Sequence, residues 1–352
     1  MATIVLTGGG SAGHCIPHLA VLPYLKNTFN NIYYIGSKDG IEKNIIETAK
    51  IPYYEIPCAK LERRICAKNI KMPFTVLSGI KEAGKILDKL KPDVIFSKGG
   101  YVSLPTVIAA KKRNIPVITH ESDYTVGLAN KIISRYCQKV LTSFPETASQ
   151  IKNGEYVGSP IRNSIFSATR NDGLAFFGFG GKKPIILFIG GSLGARTVNE
   201  TVFKAVPQLI KKYDIIHICG KGNVNTELKK KGYYQAEYIN KMENAFACAD
   251  ACVSRAGSNA LFELMALKKP TLLIPLPKGV SRGDQVLNAA YFEKNGMAEV
   301  LQQSSLTEKS IICAVNSVYN NRQTLINNMS AAPVTDKSRQ ISRILADCVK
   351  NV

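Results

Sequence analysis

Two glycine-rich loops are the segments of this sequence best suited to chemistry. Gly8, Gly10 and Gly13 follow the strand-like run Thr3–Thr7 and match the pattern G-x-G-x-x-G, and residues 190–196 form a second loop, GGSLGAR. Glycine lets the backbone approach a phosphate closely, and the N-terminus of the following helix favours an anion. One such loop also fits a tight turn without a ligand, whereas two loops in two domains indicate a ligand-binding cleft.

An NAD-binding site is an alternative interpretation of the first loop. It requires an acidic residue about 20 positions further on, at the end of the second strand, to hold the ribose. That strand ends at residues 35–38, and Asp39 follows slightly late, beside Lys38. The position of Asp39 therefore weakens the dinucleotide interpretation.

His14 and Glu121 are the candidate catalytic residues. His14 lies where the first loop meets its helix, and the near-neutral pKa of histidine suits a general base. Glu121 ends a first-domain strand, in the segment HESD, and is the rival candidate. His14 and His18 are four residues apart, as metal ligands can be, but Cys15 and Pro17 lie between them and no glutamate follows His14. We therefore predict no metal site.

Short apolar runs alternate with helix-like stretches along the chain, a pattern typical of parallel βαβ units. The pattern begins again at residues 185–189, where a strand-like run leads into the second glycine loop and a helix over 195–211. The other strand-like runs are 32–35, 94–97, 116–120, 139–143, 215–219, 251–254 and 271–274.

The length of 352 residues suggests two domains. The boundary falls in a stretch rich in Gly, Asn, Ser and Pro between residues 159 and 183. We therefore predict two Rossmann-like domains, 1–162 and 163–337. The last helix, about 338–352, could return to the first domain, and the sequence leaves this open.

Composition limits the classes of partner. Apolar residues make up 45% of the chain and charged residues 20%, as in a globular protein. The formal net charge of +20 implies an acidic partner, which could be nucleic acid, anionic lipid or a phosphorylated substrate. We see neither aromatic platforms nor a recognition helix on a basic stripe, so we predict no nucleic acid partner.

The first residues, MATIVLTGGG, carry no basic leader and only a short apolar run, unlike a signal peptide. No apolar stretch approaches the roughly 18 residues that a membrane-spanning helix needs. We therefore expect a protein that stays in the cytoplasm or lies on a membrane without crossing it.

Eight ordered segments together resemble the MurG glycosyltransferases, and the matches run from about residue 4 to residue 300. They are GGGSAGHCIPHLAV, SKGGYVSLP, HESDYTVGLANK, VGSPIR, GGSLGAR, EYINKM, SRAGSNALFE and GDQVLNA. The resemblance implies an α/β GT-B fold, in which two Rossmann-like domains with parallel sheets face each other across a deep cleft.

The resemblance also implies an inverting transfer of N-acetylglucosamine (GlcNAc) from UDP-GlcNAc to lipid I, undecaprenyl-pyrophosphoryl-MurNAc-pentapeptide. The product, lipid II, is a peptidoglycan precursor, and no cofactor is implied. His14 would take the proton from the acceptor 4-hydroxyl, with helix capping or acceptor positioning as its alternative roles. Another GT-B enzyme, such as a UDP-sugar:diacylglycerol transferase or a UDP-GlcNAc epimerase, is the alternative function, separated only by the motifs GGYVS and HESD.

By the same resemblance the second domain holds the donor. Ser192 contacts phosphate, Glu263 accepts hydrogen bonds from the ribose hydroxyls, and Gln285 binds the sugar. The backbone of Ile239 forms hydrogen bonds with uracil, and the guanidinium of Arg162 pairs with the negative charge of the diphosphate. Further substrate-binding candidates lie on the two loop–helix junctions and are Ser11, Ala12, Gly13, Ser258, Asn259, Ala260, Leu261 and Phe262.

Asp123 departs from the family pattern, because many members carry asparagine at this point. An amide both donates and accepts hydrogen bonds, whereas a carboxylate only accepts. We predict that Asp123 still holds a sugar hydroxyl or acts as a second acid–base group.

A cationic segment, Lys60–Arg64, precedes the apolar run Ile70–Leu77. This pair suits a lipid headgroup layer, and it equally suits an ordinary loop followed by a core helix. Because the acceptor implied by the resemblance is lipid-linked, we predict a peripheral protein on the anionic inner face of the cytoplasmic membrane.

Overall fold

The computed structural model describes residues 2–60, 67–190, 195–279, 282–332 and 334–350. The chain divides into two compact units. The first comprises Met1–Arg162 together with Asp336–Val352, and the second comprises Asn163–Thr335.

The first unit contains a seven-stranded parallel sheet in the order β3-β2-β1-β4-β5-β6-β7. Its strands are β1 Thr3–Thr7, β2 Asn31–Ser37, β3 Tyr53–Ile56, β4 Val94–Ser97, β5 Val117–Glu121, β6 Lys139–Thr142 and β7 Gly154–Tyr156. Its helices within the first 162 residues are α1 Ile16–Leu25, α2 Ile41–Thr48, α3 Ala67–Leu90, α4 Ser103–Lys111, α5 Leu128–Ile133 and α6 Pro145–Ser149.

The strands of this sheet are apolar on both faces because helices cover both. Successive side chains of a strand point to opposite faces. Ile4 and Leu6 of β1 accordingly pack in one cluster with Val21 of α1, and Val5 packs in the other cluster with Leu87 of α3. Continuous apolar runs of this kind are expected for a parallel sheet with helices on both faces.

The second unit contains a six-stranded parallel sheet in the order β10-β9-β8-β11-β12-β13. Its strands are β8 Ile185–Ile189, β9 Asp214–Ile218, β10 Tyr233–Ala236, β11 Ala251–Ser254, β12 Thr271–Leu273 and β13 Glu299–Val300. Its helices are α7 Arg170–Phe177, α8 Arg196–Leu209, α9 Met242–Cys248, α10 Ser258–Ala266, α11 Asp284–Lys294, α12 Glu308–Asn320 and α13 Arg322–Ala331.

The last helix, α14 (Ser338–Lys350), lies in the first unit, where Ile341 and Leu345 join the cluster beside α1. The chain is anchored before this helix by Asp336, whose carboxylate accepts from the backbone N–H groups of Ile161 at 2.8 Å and Ser338 at 2.9 Å. Residues from the two ends of the chain therefore share one core.

Both sheets have a switch point, where the chain leaves adjacent strands in opposite directions. In the first unit β2 and β3 lie on one side of β1, and β4 to β7 lie on the other. In the second unit β9 and β10 lie on one side of β8, and β11 to β13 lie on the other. The loops at the carboxyl ends of β1 and β4, and of β8 and β11, therefore border the crevices where such sheets bind ligands.

Among the described residues, none of the helices combines the length and the apolar character needed to cross a membrane.

Candidate active site

The loop after β1 is held in place by a buried carboxylate. Glu42, near the start of α2, is fully buried and accepts from the backbone N–H groups of Gly10 at 3.1 Å and Ser37 at 3.2 Å, and from the Ser37 hydroxyl. A Cβ at Gly9 would lie 2.5 Å from Glu42 Oε1, and Gly10 has φ +82°. The glycines are therefore needed so that this loop can close over Glu42.

His14 ends a short 3-10 helix, Ala12–His14, that joins this loop to α1. Its Nδ1 lies 2.8 Å from the hydroxyl of Ser11, which is exposed. In the tautomer whose Nδ1–H donates to Ser11 Oγ, the Nε2 atom carries the lone pair that a general base needs. Gly100, in the loop after β4, lies close by, since a Cβ there would be 3.5 Å from His14 Cε1.

Lys98 and His120 form a buried pair below these loops. Lys98 Nζ lies 2.5 Å from His120 Nδ1 and 2.7 Å from Ser122 Oγ, and the Lys98 side chain is only 2% exposed. The opposite ring atom, His120 Nε2, lies 2.9 Å from the carbonyl oxygen of Gly158. Because a carbonyl only accepts, Nε2 carries the proton and Nδ1 accepts from Lys98.

Burial controls the protonation of both members of this pair. It lowers the pKa of Lys98 to about 7, although the negative charges of Glu121 and Asp123 oppose this shift. Burial, together with the charge of Lys98, also holds the pKa of His120 well below its usual value. The imidazole of His120 is therefore neutral at physiological pH and serves as a hydrogen-bond bridge.

Glu121, the other candidate base, is buried and directed into its own loop. Its carboxylate accepts from the backbone N–H groups of Asp123 at 3.1 Å and Gly127 at 2.9 Å, and from the amide of Asn130 at 2.8 Å. These three donors bind the carboxylate to its own loop and hold the segment between β5 and α5. Within this segment Asp123 is half-buried.

In the second unit, the loop after β11 leads into α10 through Gly257. Among the described residues, no side chain caps this helix, and a Cβ at Gly257 would meet none of their atoms within 4 Å. Glycine at this position leaves room for an anion to approach the N-terminus of α10, where the helix dipole is positive. Asn288 of α11 positions the loop by donating from its buried amide to the Ala256 carbonyl at 3.1 Å.

The other predicted donor-binding residues occupy different surroundings. Glu263 lies on α10 and is buried, Ile239 is half-buried after β10, and Gln285 on α11 accepts from the backbone N–H of Leu276 at 3.0 Å. Arg162 is half-buried at the end of the first stretch of unit one. Ser192 lies outside the described residues. The remaining candidates on α10 are Ser258, Leu261 and Phe262, which are buried, and Asn259 and Ala260, which are half-buried.

The structure places predicted residues in both units. In the first unit Ser11 contacts His14, and His14 lies beside Gly100 in the loop after β4. Within the described parts of the chain, no three His, Cys, Asp or Glu side chains are placed to hold a metal ion.

Sequence analysis missed Glu42, Lys98 and Asn288, which position the loops. Lys98 could have been found as a charged residue that directly follows the buried strand β4. Asn288 lies within the motif GDQVLNA, which could have drawn attention to it, whereas Glu42 lies on a helix outside the eight motifs and contacts a loop distant in sequence.

Two parallel-sheet α/β units, each with an anion-binding type of loop and helix at its switch point, have the architecture of a two-domain glycosyltransferase. The chain belongs to glycosyltransferase family 28: the model of the family's N-terminal domain matches residues 4–142, and that of its C-terminal domain matches residues 185–344. These two domains account for both units of the structure.

Named relatives and a solved structure agree with this family. An enzyme of Clostridium botulinum, named UDP-N-acetylglucosamine–N-acetylmuramyl-(pentapeptide) pyrophosphoryl-undecaprenol N-acetylglucosamine transferase, is 47% identical over 354 residues, covering 99% of this chain and 100% of the relative. A Bacillus thuringiensis enzyme of the same name, numbered 3, is 50% identical over 327 residues, covering 92% of this chain and 93% of its own. The crystal structure of Acinetobacter baumannii MurG matches with a TM-score of 0.74 and 25% identity, and both chains are covered completely. The prediction of a MurG-type chain with two Rossmann-like domains is confirmed.

We predict that the buried amino group of Lys98 makes stability depend on pH, because burial lowers its pKa to about 7. An unfolded lysine has a pKa of about 10.4, so between pH 7 and 10.4 the unfolded chain binds more protons than the folded chain, and stability rises with pH. Because the folded lysine is already half-deprotonated at pH 7, the free energy of unfolding of the wild type, minus that of Lys98→Met, should increase by about 2 kcal/mol from pH 7 to pH 9. Urea titrations of both proteins at the two pH values measure this, and a constant difference would contradict it.

Proposed function

We propose that this chain transfers GlcNAc from UDP-GlcNAc to N-acetylmuramyl-pentapeptide on pyrophosphoryl-undecaprenol, the reaction that gives the Clostridium and Bacillus relatives their names. The observation that carries this proposal is the pairing of Ser11 with His14 beside the first switch point, in a chain that matches those relatives across both units. A general base in one unit and an anion site in the other are the two parts that transfer from a nucleotide sugar requires.

The second unit binds the donor in this proposal. The diphosphate of UDP-GlcNAc lies at the N-terminus of α10, in the open space above Gly257, where the helix dipole and N–H groups stabilise its charge. Glu263 holds the ribose hydroxyls, Ile239 reads uracil through its backbone, and Gln285 binds the sugar. Ser192 also contacts the phosphate, and the guanidinium of Arg162 pairs with the negative charge of the diphosphate.

The first unit binds the acceptor and supplies the base. His14 Nε2 takes the proton from the acceptor 4-hydroxyl, whose oxygen attacks C1 of GlcNAc as the C1–oxygen bond to UDP breaks. This single displacement inverts the configuration at C1. His14 is favoured over Glu121 because it is half-exposed and oriented by Ser11, whereas Glu121 is buried and accepts three hydrogen bonds within its own loop.

The acceptor-side candidates lie around this base. Ser11, Ala12 and Gly13 present the backbone of the glycine loop to the acceptor, and Asp123 accepts from an acceptor hydroxyl. A carboxylate at this position can hold a hydroxyl that donates to it, although it cannot donate in return.

We also propose that the first unit lies on the anionic inner face of the cytoplasmic membrane. Phe74 and Leu77 are three residues apart on α3 and are 74% and 62% exposed, which is unusual for large apolar side chains. Lys81, one turn further along the helix, is exposed and can meet lipid phosphate. Of the cationic segment predicted from the sequence, residues 61–64 lie outside the described residues.

His14→Ala should lower kcat for transfer of labelled GlcNAc to a short-chain lipid I analogue by roughly 10²- to 10⁴-fold, because the general base is lost. UDP binding should stay unchanged, as measured by calorimetry. Ser11→Ala should lower kcat by up to about tenfold, since it removes one orienting hydrogen bond. A His14→Ala enzyme with wild-type kcat would overturn the assignment of the base.

Gly257→Val should weaken UDP-GlcNAc binding by roughly 10- to 100-fold, since the new side chain fills the space assigned to the diphosphate. The fold should tolerate this change, because a Cβ there meets none of the described atoms within 4 Å. Gly180→Val is the matched control, because its Cβ likewise meets none of those atoms. Equal donor affinity in the two variants, measured by calorimetry, would refute the diphosphate site.

Phe74→Ser/Leu77→Ser should lower the affinity for phosphatidylglycerol vesicles by about tenfold or more, because two apolar side chains no longer enter the lipid. Co-sedimentation with these vesicles, and with phosphatidylcholine vesicles for comparison, measures the effect. Phe166→Ser, which alters an exposed aromatic residue of the second unit, should bind like the wild type. Unchanged vesicle binding by the double variant would exclude this surface.

A further inference from the structure

Lys98 carries a buried amino group to which the proposed reaction assigns no step. It follows β4 directly, its backbone N–H donates to the Thr7 carbonyl at 2.9 Å, and a Cβ at Gly8 would lie 3.2 Å from its own Cβ. Its side chain therefore passes beneath the glycine loop that carries Ser11 and His14. Burying an ammonium costs several kcal/mol unless hydrogen bonds offset it, so an apolar residue of the same length would be the more stable choice.

The hydrogen bonds of Lys98 place its amino group at a defined position. His120 is fixed at one end by its Nε2–H bond to the Gly158 carbonyl, so the direction of its Nδ1 lone pair is also fixed. Lys98 Nζ donates to that lone pair and also to Ser122 Oγ at 2.7 Å. A continuous chain of hydrogen bonds thus runs from the backbone at Gly158 to the side chain of Ser122.

Ser122 precedes Asp123 in the segment that leads to α5. Backbone groups of this segment are held as well: Glu121 accepts from the N–H groups of Asp123 and Gly127, and Thr147 donates to the Tyr124 carbonyl at 2.7 Å. The Lys98 bond instead holds a side chain, at the residue next to Asp123. Without it, the Ser122 side chain could rotate and the residue next to Asp123 would lose one restraint, although the Asp123 N–H bond to Glu121 would remain.

We propose that Lys98 is a positioning residue for the acceptor, which acts through Ser122 to hold Asp123 in the orientation that binds an acceptor hydroxyl. This role rests on the proposed transfer to a lipid-linked acceptor. It assigns to Lys98 and Ser122 an effect on acceptor binding and none on donor binding, which belongs to the second unit.

Steady-state transfer to a short-chain lipid I analogue tests this role in wild type, Lys98→Met, Ser122→Ala and the double variant. Lys98→Met should raise the acceptor KM about tenfold and change the donor KM less than twofold. Ser122→Ala should raise the acceptor KM by a similar or smaller factor. Because both changes break the same contact, the double variant should be no worse than Lys98→Met alone. Lys43→Met, which alters a lysine paired with Glu55 at the surface of the same unit, should match the wild type.

Each outcome of this experiment decides one question. No transfer by the wild type would refute the proposed function itself. Wild-type transfer with an unchanged acceptor KM in both single variants would overturn the role of Lys98. Multiplicative effects in the double variant, or equal increases in donor and acceptor KM, would indicate a general structural role and would also overturn it. If Lys98→Met does not fold, Ser122→Ala alone decides, since its half-exposed side chain can be shortened without loss of the core.

Discussion

The position of β1 between β2 and β4 is the constraint on which the first unit's chemistry depends. Parallel strands present all their carboxyl ends at one edge, and the crossovers leave β1 and β4 in opposite directions. The loops after these strands therefore border an open crevice without covering it. The strand β8 has the same relation to β9 and β11, so each unit offers one ligand crevice built by the same principle.

Open loops at a sheet edge need internal support, and buried polar side chains supply it here. Glu42 binds the glycine loop after β1, Glu121 binds the segment after β5, and the Lys98–His120 pair connects the ends of β4 and β5. Each of these groups is costly to bury and is stabilised by several hydrogen bonds. Their combined effect is to hold the loops that carry Ser11, His14 and Asp123, as the proposed acceptor site requires.

The two units divide the proposed reaction according to charge. In the second unit the uncapped start of α10 offers backbone N–H groups and a helix dipole, which suit the anionic donor and its leaving group. In the first unit a half-exposed histidine is paired with a hydroxyl, which suits proton removal from a neutral sugar alcohol. Membership of glycosyltransferase family 28 fits this division, since the family has separate models for its N- and C-terminal domains.

The sequence by itself determined the two α/β domains, the glycine loops and the family, because strand periodicity, glycine spacing and ordered motifs are local properties of the chain. It also selected His14 and the start of α10 as candidates, since both lie within those motifs. Only the tertiary structure decided that Ser11 orients His14 and that the Glu121 carboxylate accepts its hydrogen bonds within its own loop. It also decided that Glu42, Lys98 and Asn288 support the site. These contacts join residues from different crossovers, and the physical reason they escape sequence analysis is that folding sets which side chains share a buried, low-dielectric environment.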